Sequence, residues 1–195
     1  MAHYNFSGTD VVQIARDMVG MELFSQTADG VTSGLIVETE AYAGITDKAS
    51  HAWNGRRTAR TEIMYAKGGT IYVYLCYGVH SLFNVVTNAI DVPDAVLVRA
   101  IKPVNGMELM LKRINKENIN NNILYGPGNV TKAMGIHFSQ SGMILGESDS
   151  NGNKIWIEQG KSPINESEMA TGKRIGVDYA GEDALRPYRF TWKNP

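Results

Sequence analysis

Cysteine is almost missing: Cys76 is the only one in 195 residues. No intramolecular disulfide can form, so a small fold stapled by bridges is excluded. Histidine is scarce as well. His3, His51, His80 and His137 show no CxxC or HxxxH pairing, which reads against a structural zinc site. Long apolar runs are absent; none approaches the ~20 residues of a membrane-spanning helix. The N-terminus lacks the basic, apolar and small-residue succession of a secretory signal. A cytoplasmic location is the default expectation. Neither sign of charge dominates, since 19 Lys and Arg balance 20 Asp and Glu for a net charge of −1. The chain as a whole is therefore no polycation, and any nucleic-acid contact has to be a local patch. There is also no phosphate loop with Gly-Lys-Ser/Thr and no Gly-x-Ser-x-Gly elbow.

What remains is an ordinary globular composition, 43% hydrophobic and 20% charged, on a chain long enough for one substantial core. Thr9 or Asp10 can cap a helix to about Val19, with Val11, Val12, Ile14, Ala15, Met18 and Val19 as its apolar stripe and Gly20 as its stop. Met21–Ser25 and Gly34–Tyr42 read as strands joined across Ala28-Asp29-Gly30. Residues 43–68 show no period and read as a long loop with short helical pieces, a feature that is usually functional. Thr70–Tyr77 and Ser81–Asn88 read as strands around Gly78, and Ala95–Ile101 as another between Pro93 and Pro103. Helices are expected at Gly106–Ile114 and Pro127–Met134. Between them, the asparagine-rich stretch 116–122 reads as an exposed, poorly ordered loop. Ile144–Ser148 and Lys154–Glu158 read as a hairpin through Asn151-Gly152, and Tyr188–Trp192 as a last strand. The expected fold is mixed α/β (α+β). It is a single domain over 1–195, with a mostly antiparallel, curved sheet core and surrounding helices.

Chemistry concentrates in residues 34–99. Side chains alternate along a strand, so Glu38, Glu40 and Tyr42 share a face. For Glu38 the solvated side of a sheet is the better reading. Glu40 differs, because Tyr42 follows on its face as the strand enters the long loop; a carboxylate beside an aromatic there suits a general base. Arg99 lies in an apolar strand and needs an anionic partner, with Glu40 as one candidate. Such a cation should lower the Glu40 pKa. Tyr72 reads as cross-strand packing. Tyr77, beside Gly78 at a hairpin tip, should be exposed and could act as a wedge between bases. His51 alone is weak evidence, and Asn84 could merely bond a neighbouring backbone group. Arg56, Arg57, Arg60 and Lys67 are either solvated loop cations or phosphate contacts. Gly126-Pro127-Gly128 can hold a phosphate at a helix start, or simply begin the helix.

Val37-Glu38-Thr39-Glu40-Ala41-Tyr42, His51, Gly69-Thr70-Ile71-Tyr72-Val73-Tyr74 and Tyr77-Gly78 resemble the alkyladenine (3-methyladenine) DNA glycosylase family. Asn84, Leu97-Val98-Arg99-Ala100, Gly126-Pro127-Gly128, Ile155-Trp156-Ile157-Glu158, Arg174-Ile175-Gly176-Val177 and Ala180-Gly181-Glu182 continue the likeness along nearly the whole chain. The resemblance implies a monofunctional, metal-free enzyme with no cofactor. Its substrate would be double-stranded DNA containing damaged purines, and its product an abasic site. By the same resemblance Glu40 activates water, assisted by Arg99 and the backbone carbonyl of Ile155. Tyr42, His51 and Tyr74 wall a flipped base, Tyr77 fills the vacated place, and Asn84 discriminates against guanine. A monomer suffices for that chemistry. The competing expectation is a non-catalytic module that binds damaged DNA. Glu40 separates the two, because a carboxylate near phosphates harms binding and makes sense mainly as a catalyst.

Overall fold

The computed structural model describes residues 4–119, 122–160 and 164–195. Its centre is a nine-stranded sheet in which every strand pair is antiparallel. The strands are β1 (Glu22–Thr27), β2 (Gly30–Tyr42), β3 (Ile71–Cys76), β4 (His80–Thr87), β5 (Asp94–Asn105), β6 (Leu124–Tyr125), β7 (Lys154–Glu158), β8 (Met169–Gly172) and β9 (Arg189–Trp192). The main path runs β3-β4-β5-β2-β1-β7; β6 adds to β5, and β9 with β8 adds to β2. The α-helices among the described residues are α1 (Val11–Met18), α2 (Met107–Ile114) and α3 (Pro127–Met134).

Local chemistry explains most boundaries. Asp10 caps α1, its Oδ1 accepting from the amides of Val12 and Gln13 at 3.0 Å each. Pro127 opens α3, and Gly135, at φ 68°, closes it. Two strands are longer than their sequence suggests. β2 begins at Gly30 because residues 30–35 pair with β1, a tertiary contact that overrides a Gly-Ser-Thr composition. β5 runs through Pro103, which sits opposite Gly34 at a register shift, where a missing N–H does little harm.

The expected hairpin of 144–148 with 154–158 shrinks to one bridge, Ser148 with Lys154. β7 pairs with β1 instead. Residues 142–146 are taken up in closing the curl of the sheet. Ile71 N–H donates to Met143 O and Leu145 N–H to Gly69 O on the β3 side, at 2.8 and 2.9 Å; Gly146 N–H donates to Ile155 O on the β7 side, at 2.8 Å. Residues 120 and 121 of the expected loop at 116–122 lie outside the described residues, and 116–118 are exposed.

The curled sheet encloses Leu23, Ile36, Ile71, Phe83 and Ile101, against which Met18 of α1, Met110 of α2 and Met134 of α3 pack. Emptying such a position is costly; Phe83→Ala should lose ~3–5 kcal/mol. Bulges then set which face each strand presents. The β2–β5 register passes over Val37 and Arg99. Ile36 and Ala41, of opposite parity, therefore both join the core. Glu38, Glu40 and Tyr42 turn to the other side.

Candidate active site

That other side is a cleft of ≈ 470 Å³, within the ~300–1,000 Å³ common for ligand sites. Its floor is one row across the sheet. Tyr72 of β3 stands opposite Asn84 of β4, Asn84 opposite Leu97 of β5, and Leu97 opposite Glu40 of β2. Ala95, Leu97 and Arg99 alternate into the cleft while Val96 and Val98 face the core.

Glu40 has 0% exposure. One carboxylate oxygen accepts from the Ile175 N–H and the other from the Tyr42 hydroxyl, both at 2.8 Å. Arg99 Nε lies 3.3 Å from Oε1 and its Nη1 3.5 Å from Oε2. Burial raises the Glu40 carboxyl above its ordinary value; Arg99, the Ile175 amide and the Tyr42 hydroxyl each pull it back, and the neighbouring Glu38 raises it further. The Arg99 effect thus has the expected sign, but burial outweighs it. Glu38 is buried too, against the expectation of a solvated face. It is held by Arg189 at 2.7 Å and lies 3.8 Å from Arg99.

One wall comes from the loop after β2, which forms short 3₁₀ turns at Gly44–Thr46, Trp53–Gly55 and Glu62–Tyr65. His51 stands edge-on to Tyr74, with ring centres 4.6 Å apart. Its Nδ1 is 3.0 Å from the Tyr72 hydroxyl, and its Nε2 faces Arg60 Nη2 at 3.2 Å. Arginine can only donate, so Nε2 accepts and the Nδ1 proton points at Tyr72. Burial, with Arg60 and Arg56 nearby, lowers the His51 pKa to about 4. The ring is neutral at physiological pH. Tyr72 therefore does more than pack: its hydroxyl accepts the Nδ1 proton of the tautomer that Arg60 selects. Arg60 also covers the Tyr74 ring, 5.1 Å from its centre.

Asn84 is buried, and its Nδ2 donates to the carbonyls of Tyr72 and Leu82 at 3.1 Å each. Both amide hydrogens are used, so Oδ1 is the free end. Asn84 thus bonds neighbouring backbone carbonyls and also lines the cleft. Tyr77 is 94% exposed at the β3–β4 turn. Val79 N–H donates to Cys76 O at 3.1 Å around Tyr77 and Gly78, whose φ values are 51° and 71°. Glycine adopts that conformation freely, whereas a tyrosine pays strain for it, and such strain clusters at functional positions.

Ile155 does not join the site. It lies on β7 opposite Ser25, on a row that reaches β2 at Thr32. A strand rise of ~3.3 Å per residue puts that row roughly 26 Å along β2 from Glu40. Its carbonyl is already engaged by Gly146. The backbone that reaches Glu40 belongs to Ile175, in a segment with no period to mark it. The cations also separate. Arg57 is bound by Glu62 at 2.7 Å and Asp91 at 2.8 Å. Lys67 lies before the end of β3 remote from Tyr77 and borders a different cleft, with Tyr4, Phe6 and Trp156. Arg56 is exposed, and Arg60 lines the cleft itself.

The family model described as methylpurine-DNA glycosylase matches residues 5–195. The chain belongs to the methylpurine-DNA glycosylase family. A relative from Oceanobacillus iheyensis is 41% identical over 95% of this chain and 89% of its own. One from Chlamydia pneumoniae is 44% identical over 95% and 91%, and one from Clostridium acetobutylicum 40% identical over 95% and 90%. Each carries 3-methyladenine DNA glycosylase as a provisional name. The family makes the chain a DNA glycosylase, a hydrolase of DNA repair. No helix among the described residues is long and apolar enough to cross a membrane.

Proposed function

We propose that this glycosylase flips alkylated purines, and deaminated ones such as hypoxanthine, out of duplex DNA and hydrolyses their N-glycosidic bond. The observation that carries the reading is Glu40, a fully buried carboxylate directly behind the aromatic cleft, whose lining residues Tyr42, Arg99 and Ile175 all donate to it. A binding module gains nothing from such a group, because burying a charge is expensive and repels phosphates.

In this mechanism Tyr77 enters the duplex as the damaged nucleotide leaves it, at a cost of a few kcal/mol. The base lies among Tyr42, His51 and Tyr74, whose rings favour an electron-poor or cationic purine. An N3- or N7-alkylated purine carries that charge and is already a good leaving group. Glu40 takes a proton from water as the water oxygen attacks the sugar carbon, and its charge stabilises the oxocarbenium-like transition state. A raised carboxyl pKa makes it the stronger base, while Arg99 and the two donors favour the anion. Asn84, with its amide locked to two carbonyls, is a rigid edge that crowds a guanine amino group. With the water activated by Glu40, no lysine nucleophile is needed and the product is an abasic site in an uncut strand. All of these groups come from one chain, which supports a monomer as the working unit, acting in the cytoplasm.

The test is incubation of the protein with duplex DNA holding one 3-methyladenine, 7-methylguanine or hypoxanthine, followed by alkali. Alkali-labile sites at the lesion, with no nicks before alkali, are the expected result. Tight binding to lesion DNA with no labile site on any modified purine would overturn the reading in favour of a recognition module.

A further inference from the structure

Arg174 and Asp47 form an ion pair whose side chains both have 0% exposure. Arg174 Nη1 donates to Asp47 Oδ2 and, at 2.9 Å, to Ala41 O; Nη2 donates to Asp47 Oδ1 at 2.8 Å and Asp183 O at 3.0 Å. The guanidinium centre is 4.8 Å from the centre of the Tyr42 ring and 5.3 Å from that of Tyr188. Asp47 in turn accepts from the amides of Ala43 and Ala49 at 3.1 and 3.0 Å. One pair thus joins the end of β2, the loop that leads to His51, and the segment from 174 to 188.

Two charges are costly to bury, and apolar groups of similar size would often stabilise a fold as well. What the forked cation adds is orientation, because its planar donors fix several acceptors at once. The groups so oriented touch the site. Ile175, next in the chain, donates its N–H to Glu40, and Tyr42, whose face lies on the guanidinium, donates its hydroxyl.

We propose that Arg174 and Asp47 are positioning residues for the glycosylase reaction, holding the Ile175 amide and the Tyr42 hydroxyl on Glu40 and anchoring the loop that bears His51. The proposal rests on the reading of Glu40 as the general base. Neither residue contacts the reacting atoms; each acts through Glu40 and its donors.

The test compares wild type, Arg174→Lys, Asp47→Asn and Glu40→Gln. It measures single-turnover excision of 3-methyladenine from duplex DNA across pH, and binding to a duplex with an uncleavable abasic analogue. Arg174→Lys keeps the charge and loses the fork. Its excision rate should fall about ten- to hundredfold, the usual cost of a small misplacement, while binding to the analogue stays at the wild-type level. Glu40 is active as the anion, so looser donors raise its pKa and the acid limb of the rate profile should move to higher pH. Asp47→Asn should move both quantities the same way by less. A folded Arg174→Lys enzyme with the wild-type rate and acid limb would overturn the proposal. So would equal losses of rate and binding with the limb unmoved, which is the signature of a merely structural pair. If Arg174→Lys loses its native circular dichroism, Asp47→Asn decides; unfolding of both makes the pair architecture and ends the proposal. An active Glu40→Gln enzyme would overturn the reading beneath it, and this inference with it.

Discussion

Tyr72, Asn84, Leu97 and Glu40 stand where the register of four strands puts them, whereas His51, Arg60 and Ile175 stand where side-chain contacts hold their loops. The floor of the cleft is backed on its far side by the largest buried residues of the protein, including Ile71, Phe83 and Ile101. The wall rests on a few polar links, such as Thr61 hydroxyl to Arg56 O at 3.0 Å, and on arginine stacking. A packed sheet is stiff, and loops open more readily. The general base thus belongs to the stiff part, as do Tyr42, Tyr74 and Asn84, while His51 and Arg60 belong to the part that can adapt. Floor substitutions, and those at Arg174 that act through Glu40, should therefore remove chemistry and spare recognition, whereas substitutions at the tip or at wall residues facing the base should do the reverse.

The largest effect expected is at the floor. Glu40→Gln keeps the shape and removes the base and the charge, so single-turnover excision should drop by ~10²–10⁴. Binding to lesion DNA should persist or tighten, since a negative charge near phosphates is gone. Acidification should act on wild type in the same way. The base works as the anion and its pKa is raised by burial, so the rate should fall through a midpoint above the ordinary glutamate range. A Glu40→Gln enzyme that neither cuts nor binds, yet keeps its circular dichroism, would erase the distinction between floor and wall.

Next comes the tip. Tyr77 belongs to the β3–β4 hairpin by sequence and to the solvent by position. Tyr77→Ala should weaken lesion-duplex binding by ~1–3 kcal/mol, as the loss of base–aromatic stacking does elsewhere. It should not change the midpoint of the acid limb, because Tyr77 makes no contact with Glu40. Undiminished binding, measured by titration of a labelled lesion duplex, would remove Tyr77 from the wedge role.

The division also decides what the sequence discloses. Alternation over 38–42 and 95–99 marks the floor, because a strand facing a cleft keeps its period of two. Gly78 marks the tip through the conformation it permits. The wall has no period; the resemblance marks Arg174-Ile175-Gly176-Val177 as a block, but not that the Ile175 amide reaches Glu40 once the chain is folded. Ile155 shows the converse error. Resemblance gives residues in order but not in place, and a run as strand-like as Ile155–Glu158 lies two strands from β2. The bulges at Val37 and Arg99 are equally silent, although they let Ile36 enter the core while Glu38 and Glu40 face away from it.

A smaller effect tests the wall through stability. His51 has its pKa lowered to about 4 by burial and two arginines, against 6.5 for the free side chain. Between those values the unfolded chain binds the proton and the folded one does not. Stability is therefore lost as pH falls from about 6.5 towards 4 and is fully present above that window. Over pH 7 to 5, His51→Gln should remove ~1–2 kcal/mol of this dependence, less in proportion to the solvent that screens a half-buried ring. Urea unfolding of the two proteins at both pH values measures it. Equal pH dependence in both would place the neutral histidine in doubt, and with it the His51–Tyr72 link between wall and floor.

The smallest effect separates two adjacent cations. Arg56 and Arg57 are both exposed on the loop that forms the wall. Arg57 is gripped by two carboxylates, Glu62 and Asp91, and lies 4.5 Å over the Tyr65 ring. To meet a phosphate it would have to give up partners that already neutralise it, so little counterion release is left for it to supply. Arg56 donates to no carboxylate among the described residues, and its charge is open to the polyanion. For each phosphate a cation neutralises, the slope of log K against log salt steepens by ~0.9 on duplex DNA. Arg56→Ala should make that slope shallower by about this amount, and equally for damaged and undamaged duplexes, because phosphates carry no lesion signal. Arg57→Ala should leave the slope where it is. Binding titrations between low and moderate salt distinguish the cases. A slope change confined to Arg57→Ala would mean that DNA dismantles the Arg57 cluster on arrival, and that this part of the wall rearranges around the duplex.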